Sequence, residues 1–377
     1  MKRSDDRKNR TGMVFLFIFF GLAAGISAAG YVAYDSYEQN FREVVERQLS
    51  AIAELKIDQL VEYRKERLGD AYIFFKNPAF CSLVRQFFEK RNNVNAHRQL
   101  HTWLAKNQAS YSYNGMFLLD VRGNVRMSVP EKTTPIASMI QNEALEVLRL
   151  GTITIQEFHR NEHDQKIYLT LLVPIADDTD PSRQIGVLLL RIDPEAYLYP
   201  FIQTWPVPSR TSETLIVRRE GNDVLFLNEL RFQKNTALNL RFPLSNEKLP
   251  AARAAPGYSG IMEGVDYRGE AVIAALRSVP NSPWFLVART DKSEVDEPLK
   301  GRLWLMILLV GALVTGSGAV VSVAWRHQRN SFYRNQYKLT KALQSSETRY
   351  RRLFESAKDG ILILDAETGK IMDVNPY

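Results

Sequence analysis

The chain has 377 residues, 45% hydrophobic and 24% charged, with 49 Lys+Arg against 42 Asp+Glu and a formal charge of +7. That length accommodates two or three domains, and the composition is too ordinary for a disordered or fibrous chain. Its single cysteine, Cys81, excludes an internal disulfide framework and any thiolate zinc cluster.

Residues 11–34 run for 24 positions without a charge, and residues 303–325 for 23. A bilayer core of about 30 Å is crossed by about 20 apolar helical residues, so both segments are predicted to span a membrane. The rival reading of the first is a cleaved signal peptide, with the basic leader Lys2, Arg3, Arg7, Lys8 and Arg10 and small residues at Ala28 and Ala29. Its length, and Tyr31 and Tyr34 at the position of an interfacial aromatic belt, favour an uncleaved anchor. Arg326, Arg329, Arg334, Lys338 and Lys341 follow the second span. With the basic leader they predict cytoplasmic termini in a bacterial inner membrane, and residues 35–302 outside, periplasmic or extracellular. Gly21, Gly25 and Ala29, and Ala312 and Gly316, have the small-x-x-x-small spacing of close helix packing.

Residues 35–75 read as one long helix, with Phe41, Val45, Leu49, Ile52 and Leu55 at helical spacing, broken at Asn77-Pro78. Strand and turn signals follow. A hairpin is predicted over 116–128 around Arg122-Gly123-Asn124, a helix over 137–150 ending at Gly151, and strands over 152–158, 167–175 and 185–192. This order then begins again. Gly123 and Gly221 occupy matching turns 98 positions apart, and Arg191 and Arg289 occupy matching Arg-x-Asp strands at the same offset. A shared offset indicates a duplicated α+β module, with Trp205-Pro206-Val207-Pro208 as the stiff boundary.

On these residues, namely the long first helix, the Asp120-x-x-Gly123 hairpin, the strand at 168–175 and the closing Arg-x-Asp strands, the region resembles a double Cache domain. That is the tandem PAS-like fold of bacterial sensor kinases and chemoreceptors. The resemblance implies a membrane-distal module (76–205) that holds a small ligand and a membrane-proximal module (206–297) that relays its binding. One subgroup binds amino acids through an Arg-x-Trp-Tyr cluster after the first hairpin. Here residues 128–133 read Ser-Val-Pro-Glu-Lys-Thr, so that cluster is absent and the resemblance does not imply an amino-acid ligand.

Candidate ligand contacts are Tyr168 and Thr170 on one face of their strand, Arg126 and Ser128 on the hairpin, and Tyr111 and Tyr113 just before it. A buried Arg126 would suit an anionic ligand through bidentate hydrogen bonds. The alternative leaves Arg126 in solvent and the tyrosines as packing. His159-Arg160-Asn161-Glu162-His163 has the H-x-x-E-H form of a zinc protease, which requires a helix. Its flanks are strand-like, so a polar hairpin turn is expected instead. His97 and His101 lie four apart on a helix, without the Glu of an H-E-x-x-H site. No metal, no cofactor and no catalytic residue is assigned.

Residues 326–349 form a polar helix too short for a HAMP relay. Leu339, Leu343, Ser346, Tyr350, Leu353 and Ala357 form a short heptad seam, from within it into the residues that follow, suited to a parallel homodimer. Residues 350–377, with Asp359-Gly360-Ile361, a turn at Gly369 and Asn375-Pro376, resemble the opening of a PAS domain. Two strands do not make a stable sheet, so the expectation is a fragment of a longer protein that lacks the rest of its PAS domain and its output domain.

The expected architecture is α+β: two transmembrane helices flanking a tandem PAS-like domain, then a cytoplasmic helix and a truncated PAS domain. The expected function is the sensory part of a bacterial signal-transduction receptor of the sensor histidine kinase type. Its partners are the lipid bilayer, a small-molecule ligand and, if a kinase domain follows, a response regulator. The front end of a diguanylate cyclase and a non-catalytic membrane-anchored binding protein remain open. Nucleic acid is not among the partners. Residues 35–302 hold 34 basic and 34 acidic side chains, so the whole +7 lies on the two terminal flanks.

Overall fold

The computed structural model describes residues 2–89 and 93–376. Helix α1 is continuous over Lys2–Phe74. Its second half buries a stripe at three- and four-residue spacing: Leu49, Ile52, Ala53, Ile57, Leu60, Tyr63, Ala71 and Phe74. Asn77 ends it and starts α2 (Pro78–Glu89), because its Oδ1 accepts from Phe80 N at 3.2 Å and Pro78 takes the first helical position. Asn93 caps α3 (Val94–Ser110) in the same way, accepting from Ala96 N at 3.0 Å.

The first sheet contains β1 (Gly115–Asp120), β2 (Val125–Val129), β3 (Thr154–Arg160), β4 (Ile167–Ala176) and β5 (Gln184–Ile192). They are arranged antiparallel in the order β2-β1-β5-β4-β3. Helix α4 (Ser138–Leu150) lies between β2 and β3 in the chain and ends where Gly151 turns left-handed at φ 65°. Alternation assigns each strand two jobs. Met116, Leu118, Leu171, Leu188 and Leu190 join the cluster that contains the α1 stripe. Phe117, Leu119, Leu172, Val187 and Leu189 instead cluster with Ile140, Ala144 and Val147 of α4.

The second sheet contains β6 (Glu213–Glu220), β7 (Asp223–Phe226), β8 (Arg241–Pro243), β9 (Gly260–Val265), β10 (Ala271–Ser278) and β11 (Trp284–Asp291), in the order β8-β7-β6-β11-β10-β9. Apart from the added edge strand β8, this repeats the first sheet strand for strand. Register repeats too: Gly115 lies opposite Arg191, and Glu213 lies opposite Arg289, each pair 98 positions from the other. Helix α5 (Leu198–Gln203) connects the sheets, and α6 (Pro250–Ala254) packs in a separate apolar cluster with Leu215, Val217 and Val287.

The α1-facing sides of both sheets share one core, which includes Ile216, Ile273, Leu286 and Ala288 of the second. Polar links cross the same boundary. Arg64 of α1 reaches Glu157 at 3.3 Å and Asn281 O at 3.2 Å while its guanidinium lies 4.5 Å from the Trp284 ring. Tyr199 Oη donates to Leu227 O at 2.6 Å, and the Phe158 and Trp284 rings stand 5.0 Å apart.

Gln39–Leu299 make up one compact unit, and the two chain ends make up the other. In the latter, α7 (Lys292–Ser356) carries the second apolar run, and both long helices are apolar enough to cross a membrane. A Cβ on Gly30 would sit 2.6 Å from Val310 Cγ2, and one on Gly318 would sit 3.1 Å from the Phe19 ring, so these two glycines permit close helix approach. Cβ atoms on Gly21, Gly25 and Gly316 would meet nothing within 4 Å. A short hairpin, β12 (Leu362–Leu364) and β13 (Ile371–Val374), follows α7. Asn375 closes it by accepting from Ile361 N at 2.8 Å and donating to Asp359 O at 3.0 Å.

Gly186 shows how tightly the first sheet is filled, since a Cβ there would lie 2.5 Å from Leu119 O and 2.8 Å from the Phe88 ring. Gly186→Ala is therefore expected to destabilise the Gln39–Leu299 unit by about 1–3 kcal/mol through overpacking. Denaturant unfolding followed by tryptophan fluorescence checks this, and an unchanged midpoint would refute the packing described.

Candidate ligand-binding site

β5 reads Gln-Ile-Gly-Val-Leu-Leu-Leu-Arg-Ile, and a cation in so apolar a strand must find partners where it lies. Arg191 is 3% exposed and emerges on the α4 side, opposite Thr170 of β4 and Gly115 of β1. Its Nε donates to Asn114 Oδ1 at 2.8 Å, Nη1 to Thr134 O at 2.8 Å, and Nη2 to Thr133 Oγ1 at 2.6 Å. The guanidinium lies 4.8 Å from the Phe117 ring and 4.6 Å from that of Tyr168, a double cation–π arrangement. All of these partners are neutral. Burial pushes the Arg191 pKa down, opposed only through space by Tyr168, Asp164 and Asp193.

The rim is built from the β3–β4 turn. Tyr168 Oη donates to Asp164 Oδ2 at 2.8 Å. Burial pushes the Asp164 carboxyl up, but bonds from Lys166 N, Tyr168 and Thr134 and the field of Arg191 outweigh it and hold the group below its usual range. Asn161 Nδ2 donates to Pro135 O at 2.9 Å, which fastens the 133–135 segment to the turn as Arg191 fastens it to the sheet. The second sheet treats its matching arginine differently. Arg289, 1% exposed, has Glu213 at 2.5 Å, Asp291 at 2.7 Å and Asp266 at 3.2 Å. One buried cation is neutralised by carboxylates of its own module, and the other is held by neutral dipoles and rings.

Of the residues singled out in the sequence, the structure brings Tyr168 and Thr170 to Arg191. Ser128 lies opposite Phe117, with its Oγ 3.4 Å from Glu131 O. Arg126 sits at the irregularity in β1–β2 pairing, where it bonds Asp120 at 3.4 Å and its guanidinium lies 6.0 Å from the Phe88 ring, so it is not gathered with the others. Tyr113 belongs to the α1-side core, where its Oη donates to Asp70 at 2.8 Å and Arg67 bonds the same carboxylate at 3.2 Å. Tyr111 caps α3 and faces an open surface groove with Arg98, Trp103 and Lys106. Arg191, Asn114 and Thr133 are not among the sequence candidates; the signal for Arg191 is a cation inside an apolar strand, matched 98 positions later, which along the sequence serves as a marker of the repeat.

His159 lies on β3 opposite Tyr168, and His163 lies in the turn, so H-x-x-E-H is not helical. Among the described residues no group of three or more His, Cys, Asp or Glu is placed to hold a metal. His159 Nδ1 is 3.0 Å from Glu157 O, and burial pushes its pKa below the ordinary value of 6.5. A group that folding keeps neutral binds more protons when unfolded, so its stabilising contribution is present above pH 6.5 and is lost as pH falls below it. Thermal melts between about pH 7.5 and pH 5 are expected to show that decline, and His159→Gln is expected to flatten it.

A family model described as a Cache domain matches residues 35–299, and one described as a PAS domain matches residues 348–377. No curated protein matches the chain. Among solved structures, the periplasmic sensory domain of the Campylobacter jejuni chemoreceptor Tlp1 is 14% identical, covers 68% of this chain and 99% of its own, and has a TM-score of 0.49. The ligand-binding domain of the Pseudomonas fluorescens chemoreceptor CtaA in complex with L-isoleucine is 13% identical, with coverages of 69% and 97% and a TM-score of 0.47. The ligand-binding domain of the Pseudomonas aeruginosa chemoreceptor PctC in complex with GABA is 14% identical, with coverages of 66% and 100% and a TM-score of 0.46. With two long apolar helices flanking the matched region and a PAS-like segment after it, this chain belongs to the Cache domain family.

Proposed function

We propose that the chain is the sensory and membrane-spanning part of a bacterial receptor of the sensor histidine kinase type, and that it binds a small anion at Arg191. In this reading residues 76–205 sense and residues 206–297 relay. Helix α7 carries the shift across the membrane, in a homodimer with both termini cytoplasmic, toward the PAS segment and a kinase domain. The observation that carries the reading is the buried Arg191 guanidinium with neutral partners only, beside an Arg289 that is neutralised from within. A buried cation whose direct partners carry no charge is costly, and an anion that binds it directly stabilises the folded state selectively. The relay needs that anion to favour one of two arrangements of the module. The 133–135 segment offers such an element, since an anion at Arg191 competes with Thr133 and Thr134 for its N–H groups.

The test uses the full chain in lipid nanodiscs, melted with acetate, succinate, phosphate, glycine or methylammonium at constant ionic strength. At least one anion is expected to raise the apparent stability saturably, by about 2.7 kcal/mol at a hundredfold excess over its Kd. Methylammonium is expected to do nothing, and Arg191→Gln to abolish the response. Stabilisation by the cation alone, or an anion response that survives Arg191→Gln, would sink the proposal.

A further inference from the structure

The two cross-strand pairs differ in one respect that bears on the ligand. Where the second sheet sets Glu213 opposite Arg289, the first sets Gly115 opposite Arg191. In the second sheet the Glu213 carboxylate accepts from Arg289 Nη2 at 2.5 Å, from Tyr267 Oη at 2.9 Å and from the Arg231 backbone N–H. In the first sheet a Cβ built on Gly115 would stand 3.6 Å from Arg191 Nη2. The two guanidiniums occupy the same register position, so a side chain at 115 starts where Glu213 starts. Gly115 is not in the left-handed region, and its backbone does not demand glycine. Glycine at 115 takes away the carboxylate that the duplicated module keeps, and leaves the cation.

Resting on the anion reading above, we infer that the ligand of the first module is a carboxylate, and that its carboxylate group occupies the place on Arg191 Nη2 that the Glu213 side chain occupies on Arg289. The second module is thus permanently self-liganded through Glu213, and the first takes the equivalent group from solution. An arriving carboxylate also meets Phe117, whose Cε2 would lie 2.9 Å from a Gly115 Cβ. That ring covers one face of the guanidinium and belongs to the cluster that seats α4. Ligand entry therefore presses on the α4 packing, whereas Glu213 holds the second module in its occupied arrangement.

The experiment compares melting of the full chain in nanodiscs with and without sodium acetate, the smallest carboxylate, against sodium chloride of equal ionic strength. Wild type is expected to gain about 5–10 °C in Tm at acetate a hundredfold above its Kd. Gly115→Glu is expected to lose the acetate response and to melt above its neutral isostere Gly115→Gln, which adds the same bulk without the charge. An acetate response retained in Gly115→Glu, or equal Tm values for the two variants, overturns the placement while leaving the anion reading intact. No response of wild type to any anion overturns the reading itself. If the added side chain unfolds both variants by displacing Phe117, Glu213→Gly decides. It opens the place of the Glu213 carboxylate on Arg289 Nη2, with Asp266 and Asp291 left on Nη1, and is expected to show an acetate-dependent Tm rise larger than that of wild type, or recovery of a cooperative melt. A rise no larger than that of wild type, or no recovery, overturns the inference.

Discussion

A guanidinium buried at the end of a central strand, without a carboxylate, constrains everything around it. Two aromatic rings lie over the charge, Asn114, Thr133 and Thr134 direct their oxygens at it, and Asp164 and Asp193 support it through space. Those oxygens come from the approach to β1 and from the connection between β2 and α4. Arg191 therefore fixes the backbone that leads into the site as well as the site itself. Dipoles that stabilise a cation weakly can be exchanged for a charge that stabilises it strongly, and the segment bearing them then loses its anchor.

The duplicated architecture separates two tasks. One side of each sheet faces α1, and the two sides form a single apolar core that α1 runs alongside. The opposite sides carry separate clusters, one around α4 and one around α6. The α4 side of the first sheet is thus connected to the second through strands whose other side is shared. Arg64, which touches Glu157 of the first sheet and the β10–β11 turn of the second, adds a polar link along that path. Burial outweighs the nearby Arg64 charge and pushes the Glu157 carboxyl up, so this link lies in a poorly solvated place. Interactions there are strong for the same reason.

The two modules share strand order, register and a buried arginine, yet differ in how the arginine is neutralised. Similarity of that kind follows from packing, because strand order and register are enforced by long apolar runs with two buried sides. The difference follows from a few side chains: Glu213 and Asp266 stand beside Arg289 where Gly115 and Tyr168 occupy the matching positions at the first arginine, and Asp291 bonds Arg289 as well. Glu213 converts a buried cation into part of a closed ionic network, and Gly115 leaves it open to neutral partners.

Much of the architecture was legible in one dimension. Charge-free runs set the two apolar helices, because the bilayer requirement is a matter of length and composition. The long helical stripe ending at Asn77-Pro78, the helix ending at Gly151 and the 98-residue offset are local signals, and each has a local cause in the structure: a cap, a left-handed glycine, a repeated register. The cluster around Arg191 is only half legible there. Alternation places Tyr168 and Thr170 on one side, but it could not exclude Tyr113, which precedes the strand and turns to Asp70 of a helix more than forty residues earlier. Nor could it follow Arg126 through an irregularity in pairing. Element types, the repeat and the segregation of charge are all readable along the chain. Which arginine is buried beside which neighbours rests on the fold, because it depends on cross-strand register and on the segments around residues 114 and 133 being brought to Tyr168 on β4, which no period in the chain encodes.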